Sequence, residues 1–175
     1  MGSKVYFLNA RSLNQFGSLS AVKTQVLLDE LEFPERVTPD SKVCVKTHFG
    51  ALSNTRYMRP SYARLLVDYV KQLRVEDVYV AESCGAGMPH GDGLYAGRAA
   101  QDEYLECAKR HGFTPDTMGC PVTMLDGEVG LDWFPVKVPG KYFKEIMVAG
   151  KLEKTDLLIM HTHFKGHGTA GFGGA

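Results

Sequence analysis

Three histidines and a lysine crowd the end of this chain, at His161, His163, Lys165 and His167. Imidazoles that titrate near neutrality can ligate a metal, hold an anion or move protons, and the ammonium adds a compact charge. The cluster follows at once on the apolar run Leu157 to Met160. That run reads as a buried strand, and ligands in open α/β sheets bind just past the carboxyl ends of strands. His163, Lys165 and His167 are therefore candidate catalytic groups, and His161, His163 and His167 are candidate metal ligands. Only three residues separate His163 from His167, as in many zinc sites, although here they lie in a loop. Gly171, Gly173 and Gly174 follow, where a backbone can approach a bound molecule closely.

Two other strand ends carry polar groups. Lys46-Thr47-His48-Phe49-Gly50 adds His48 to the catalytic candidates. Beyond it, Asn54, Arg56 and Arg59 precede Pro60, a residue suited to the first position of a helix. Two guanidinium groups beside helix amides make an anion site, and the competing reading is a pair of surface arginines. The stretch from Glu82 through Cys84 to His90 is rich in glycine but contains neither nucleotide-binding fingerprint. Cys84 needs a histidine or helix amides beside it to become a nucleophile, and Glu82 needs a raised pKa to become a base. His111 reads as a helix cap, and Asp126, before Gly127, as a turn residue.

The elements that must position these groups follow from periodicity. Val5 to Leu8 reads as a strand, and Asn9 to Ser18 as a loop. Helical spacing runs from Leu19 to Phe33, capped by Ser18 or Ser20 and stopped by Pro34. Lys42 to Phe49 is strand-like. A helix starts at Pro60, with Ala63, Leu66, Val67, Val70 and Leu73 on one face. Asp77 to Ala81 is a strand, Ala96 to His111 a helix ended by Gly112, and Val122 to Leu125 a strand. Val136/Val138 and Ile146/Val148 alternate about Pro139-Gly140, which predicts a hairpin. The alternation of strand and helix predicts an α/β fold: a doubly wound, mostly parallel sheet with helices on both faces and a small β-hairpin insertion.

Composition limits the function. Twenty basic and twenty acidic residues cancel, so there is no electrostatic footprint for nucleic acid or an anionic membrane. No apolar run approaches the roughly 20 residues of a membrane span, and the start lacks the apolar stretch of a signal peptide. Cys44, Cys84, Cys107 and Cys120 form no Cys-x-x-Cys pair, so they are expected to be free thiols in the cytoplasm. A length of 175 residues suits one domain. Because the chain stops inside a glycine-rich stretch, residues 1–175 are expected to be a single α/β domain truncated at its carboxyl end.

These segments, in this order, resemble the domain-of-unknown-function family 362. The resemblance runs from about Val43 onward through Val45-Lys46-Thr47-His48-Phe49-Gly50, Asn54-Thr55-Arg56-Tyr57-Met58-Arg59-Pro60 and Asp126-Gly127. Its most specific part is His163-Phe164-Lys165-Gly166-His167 with Ala170-Gly171-Phe172-Gly173-Gly174-Ala175. The resemblance implies an iron–sulfur-associated, ferredoxin-like protein whose cluster is held by a cysteine-rich module after this domain. A weaker similarity is to nickel-pincer lactate racemases. Their Thr-Arg-Pro loop is similar to Thr55 to Pro60, and a glycine segment is similar to Ala170 to Gly174. It implies paired histidines, drawn from His48, His161, His163 and His167, working at a metal-containing cofactor.

The resulting expectation is the amino-terminal, substrate- or anion-binding domain of an oxidoreductase. Asn54, Arg56, Arg59 and the three glycines would hold the ligand or cofactor. An iron–sulfur cluster would lie beyond this chain, and a transition metal is a further candidate ligand of the histidines. A racemase or isomerase and a non-catalytic anion-binding module are the alternatives. A small anionic partner is expected, with neither nucleic acid nor membrane.

Overall fold

The computed structural model describes residues 4–9, 22–85, 87–92, 96–168 and 170–174. In chain order its main elements are α1 (Thr24–Glu30), β1 (Val43–Thr47), α2 (Pro60–Gln72), β2 (Val78–Glu82), α3 (Gln101–Arg110), α4 (Pro115–Met118), β3 (Val122–Met124), β4 (Trp133–Lys137), β5 (Glu145–Ala149), β6 (Leu157–His161), β7 (Lys165–His167) and β8 (Gly171–Gly173). Four of the strands make one parallel sheet in the order β3-β2-β1-β6. β4 pairs with β5 and β7 with β8, each as an antiparallel hairpin.

The sheet is buried along its central strands, as a parallel sheet must be. Every residue of β2 is buried, and so are Val43, Val45 and Thr47 of β1. Alternation then divides the side chains between two faces. Val43, Val45, Val78 and Val80 meet the apolar stripe of α2 (Ala63, Leu66, Val67, Val70) and Tyr104, Cys107 and Ala108 of α3. Cys44, Tyr79 and Ala81 face the other way and meet Leu125, Ala149 and Leu152. Each fully buried valine or phenylalanine stabilises by roughly 1.5–3 kcal/mol relative to exposure.

Chirality explains this division. Parallel strands are joined by right-handed crossovers, so the steps β1 to β2 and β2 to β3, taken in one direction, put α2 and α3 on one face. The chain then returns past β1 to β6, and a right-handed return must cross the other face. That crossing is made by the β4–β5 hairpin and a 3-10 helix over Gly150–Lys154. The sheet is thus doubly wound in the expected sense, with α-helices on one face and the 3-10 helix on the other. The predicted hairpin forms, in the register Val136↔Ile146 and Phe134↔Val148.

Several local expectations need correction. Among the described residues Val5 to Leu8 pairs with no strand, and Val5 and Phe7 are 89% and 85% exposed. Four apolar residues are too few to distinguish a strand from an irregular segment. The first helix is α-helical over Thr24–Glu30 and π-helical just before it, at residues 22–23, and its expected start at Leu19 lies outside the described residues. The proposed serine caps and most of the loop before them lie outside the described residues. Helix α3 starts only at Gln101, because Ala100 has extended backbone. No helix among the described residues is long and apolar enough to cross a membrane.

Candidate functional site

The order β3-β2-β1-β6 reverses between β1 and β6, since β2 lies on one side of β1 and β6 on the other. Loops leaving the carboxyl ends of these two neighbours diverge and open a crevice, the usual ligand position in such sheets. There the structure has a cleft of about 180 Å³ lined by Lys46, His48, His163, Lys165, His167, Gly173 and Gly174.

One wall comes from β1 and is supported by β2. The Glu82 side chain is only 5% exposed, with Oε1 2.6 Å from Lys46 Nζ and Oε2 2.9 Å from His48 Nδ1. The backbone N–H of Ser83 also donates to Oε1, at 3.0 Å. Burial pushes the Glu82 carboxyl up, but the His48 hydrogen bond and the Lys46 charge outweigh it, and its pKa lies below the ordinary value. Glu82 is therefore an anion at neutral pH. It accepts the Nδ1 proton of His48, which leaves Nε2 as the ring nitrogen able to accept a proton or bind a ligand. Tyr104 Oη, 3.2 Å from the same Nδ1, gives the ring a second support. Burial raises the Tyr104 phenol well above its usual value, so it keeps its proton.

The second wall is the terminal segment, which forms a hairpin where a loop was expected. Lys165 pairs with Gly173, Gly166 with Phe172, and His167 with Gly171. Alternation puts Lys165 and His167 on one side of this ribbon, opposite two residues without side chains. Phe172 belongs to the other side and stacks on Phe164, with ring centroids 5.5 Å apart. Gly171 has φ +79°, which favours glycine. His167 Nδ1 accepts the Ala170 N–H at 3.0 Å, which holds the turn.

The structure thus brings together His48, His163, Lys165, His167, Gly173 and Gly174, and it adds Lys46 and Glu82. Lys46 was not singled out in the sequence. An alternating strand that carries lysine beside a buried valine could have signalled a lysine with a buried partner. Asn54, Arg56, Arg59 and Gly171 do not line the cleft. Asn54 Oδ1 accepts the Arg56 N–H at 2.8 Å, a local turn, and the Arg59 guanidinium lies over the Tyr62 ring at 5.9 Å. His161 sits beside the cleft, not in its lining. Its Nδ1 is 3.1 Å from Thr47 Oγ1, across the β1–β6 register. Burial, with a smaller push from His163, lowers its pKa to about 4, so it is neutral at pH 7.

The remaining candidates have structural roles. Burial and the adjacent Asp126 raise the Cys84 thiol to about 11, which removes it as a nucleophile. Asp126 accepts the Cys84 N–H at 3.0 Å, in keeping with a turn residue. His111 ends α3, stacks on Tyr57 at 3.9 Å and approaches Phe49 O at 2.6 Å, so it docks the loop after β1. A larger cleft of about 620 Å³ lies at the amino ends of the strands, but no imidazole lines it. Two of its three lysines are engaged, Lys42 with Asp77 at 3.2 Å and Lys151 with Thr123 at 2.7 Å.

The donor sets for metals can be tested in the same way. The four cysteines are free thiols, three of them buried, and burial raises the pKa of each. Among the described residues one group alone offers three ligand atoms within 4.8 Å of one another, and it is His90, Asp102 and Glu103. No cysteine set converges, so these residues do not fit an iron–sulfur cluster. His161, His163 and His167 do not converge either. In the His90 group, Glu103 accepts the N–H groups of His90 at 2.8 Å and Gly97 at 3.2 Å, which clasps the loop before α3.

No curated protein and no solved structure matches this chain. A family model does match, over residues 43–175, a span that begins with β1 and takes in both walls of the cleft. The chain belongs to the family described as a domain of unknown function, DUF362.

Proposed function

We propose that this chain is the substrate-binding, proton-transferring domain of an oxidoreductase-type protein of the cytoplasm, and that it takes a small anionic molecule into the strand-end cleft. The observation that carries this reading is the buried Glu82 carboxylate that orients His48, beside a cleft lined by Lys165 and two further imidazoles. His48 Nε2 is the proton donor or acceptor. Glu82 holds its tautomer, and Lys165 contributes charge for the anion. Any iron–sulfur centre belongs, in this reading, to sequence other than these residues, because the thiols here do not fit one.

A second reading, a racemase- or isomerase-like enzyme, is favoured by one feature. Imidazoles from two separate segments, the end of β1 at His48 and the terminal segment, line the same cleft. Inverting a carbon centre requires an acid and a base on opposite sides of it.

The test is proton–nitrogen NMR of the imidazole signals while small carboxylates and phosphate are added. Shifts at His48 and His163 are expected, and both should be lost in Lys165→Gln, while the His163 shift should be altered in His48→Gln. Absence of any shift would sink the reading. Incorporation of solvent deuterium beside the carboxylate of a bound acid, abolished in His48→Gln, would move the second reading to the front. Binding that is indifferent to both histidines would leave an anion-binding module.

A further inference from the structure

Resting on the reading above, we infer that the ligand is a compact dianion without an apolar body, the size of a three- or four-carbon dicarboxylate or a phosphate. Three features of the cleft lead there. The first is its lining. Small-molecule pockets are usually lined by hydrophobic and aromatic side chains with a few polar groups, but here, among the described residues, every lining residue is a lysine, a histidine or a glycine. An alkyl chain or aromatic ring would meet only lysine methylenes and imidazole carbons there, with no aliphatic or aromatic hydrocarbon side chain to pack against. The nearby aromatic pair Phe164 and Phe172 does not line the cleft and is 83% and 73% exposed.

The second feature is charge. Ammonium groups arrive from two separate elements, Lys46 from β1 and Lys165 from β7. Glu82 takes one of the three donors of Lys46, which leaves two for a ligand. A molecule with an anionic group at each end, or a phosphate with oxygens on every side, meets both walls at once. A compact monoanion brings only half that charge to the two ammonium groups. The third feature is size. The cleft holds about 180 Å³. A cavity of roughly 150 Å³ accepts benzene, which has about six heavy atoms, so about seven or eight heavy atoms fill this one.

Gly173 supplies the means of testing size. A Cβ built there meets His167 Cβ at 3.6 Å and Lys165 Cε at 3.8 Å, which are ordinary contacts, so Gly173→Ala keeps the fold while narrowing the cleft. The experiment is calorimetric titration of the whole chain with oxalate, malonate, succinate, adipate, phosphate, acetate and benzoate, repeated in Gly173→Ala and Lys165→Gln.

Malonate, succinate or phosphate should bind at least about tenfold more tightly than acetate, benzoate or adipate. Lys165→Gln should weaken the dianions by about tenfold or more, the worth of one charge-assisted hydrogen bond, and acetate by less. Gly173→Ala should weaken succinate more than oxalate. A preference for malonate over phosphate would identify an organic acid, and the reverse a phosphoryl group; both belong to the inferred class. Benzoate or adipate binding as well as malonate would overturn this inference but keep anion binding at the cleft. Binding unaffected by Gly173→Ala would also overturn it. No binding by any of the anions would overturn both this inference and the function proposed above.

Discussion

The two walls of the cleft are built differently. The β1 wall stands on a buried sheet. Its lysine and histidine both engage Glu82, and the ring of His48 is supported again by Tyr104. The hairpin wall has two strands of three residues, and Lys165 and His167 face only glycines across it. A short two-stranded ribbon has little stability of its own. The first wall is therefore pre-organised, as a proton-transfer group requires, whereas the second can adjust to what it binds. Chemistry belongs to the rigid side and selection of ligands to the soft one.

Changes on the rigid side should cost the fold most. Glu82→Ala leaves the Lys46 ammonium without its buried partner, a loss of about 3 kcal/mol. In a domain of this size that lowers the melting temperature by roughly 6–12 °C, measurable by calorimetry. An unchanged melting temperature would mean that the pair is not formed. A second effect on stability depends on pH. His161, held near 4 in the folded chain against an ordinary 6.5, binds its proton first in the unfolded chain. Stability is complete above about pH 6.5 and declines as pH falls towards 4, and His161→Gln should flatten this range. The Glu82 contribution runs the other way in origin. Its pKa is lowered, so its share is present above the ordinary 4.5 and is lost only below it.

Tyr104→Phe should cost about 1 kcal/mol, a single hydrogen bond, and should move the ring-nitrogen NMR signals of His48. Least of all, His163→Gln on the soft side should change stability by less than about 0.5 kcal/mol while it weakens anion binding. A large loss of stability there would erase the contrast between the walls.

Much of the scaffold could be read from the sequence because burial leaves periodic marks. The stripe Ala63, Leu66, Val67, Val70 gave α2, and Pro60 gave its first residue. The β-branched runs gave β1 and β2, and alternation about Pro139-Gly140 gave the β4–β5 hairpin. The ribbon β7–β8 left no such mark. Glycine is depleted in strands, and no apolar face of that ribbon is buried. The histidines and Lys165 could be placed because they follow a strand. Lys46 and the ionised Glu82 could not, since their pairing depends on the β1–β2 register, which no local pattern records. Arg56 and Arg59 lie close in sequence to a helix start, and that closeness does not by itself bring a side chain into the lining of the cleft.

The unbroken register of β1 with β6, from Val43↔Leu157 to Thr47↔His161, also bears on how such a site can change over evolution. Both walls depart from adjacent strands, which lie about 4.8 Å apart in any sheet. That spacing cannot drift, and a slip of one residue would turn every side chain to the wrong face. Substitutions in the sheet can therefore alter the chemistry of the cleft but not its span. New ligand sizes have to come from the length and composition of the terminal ribbon, which can vary while the proton-handling wall stays as it is.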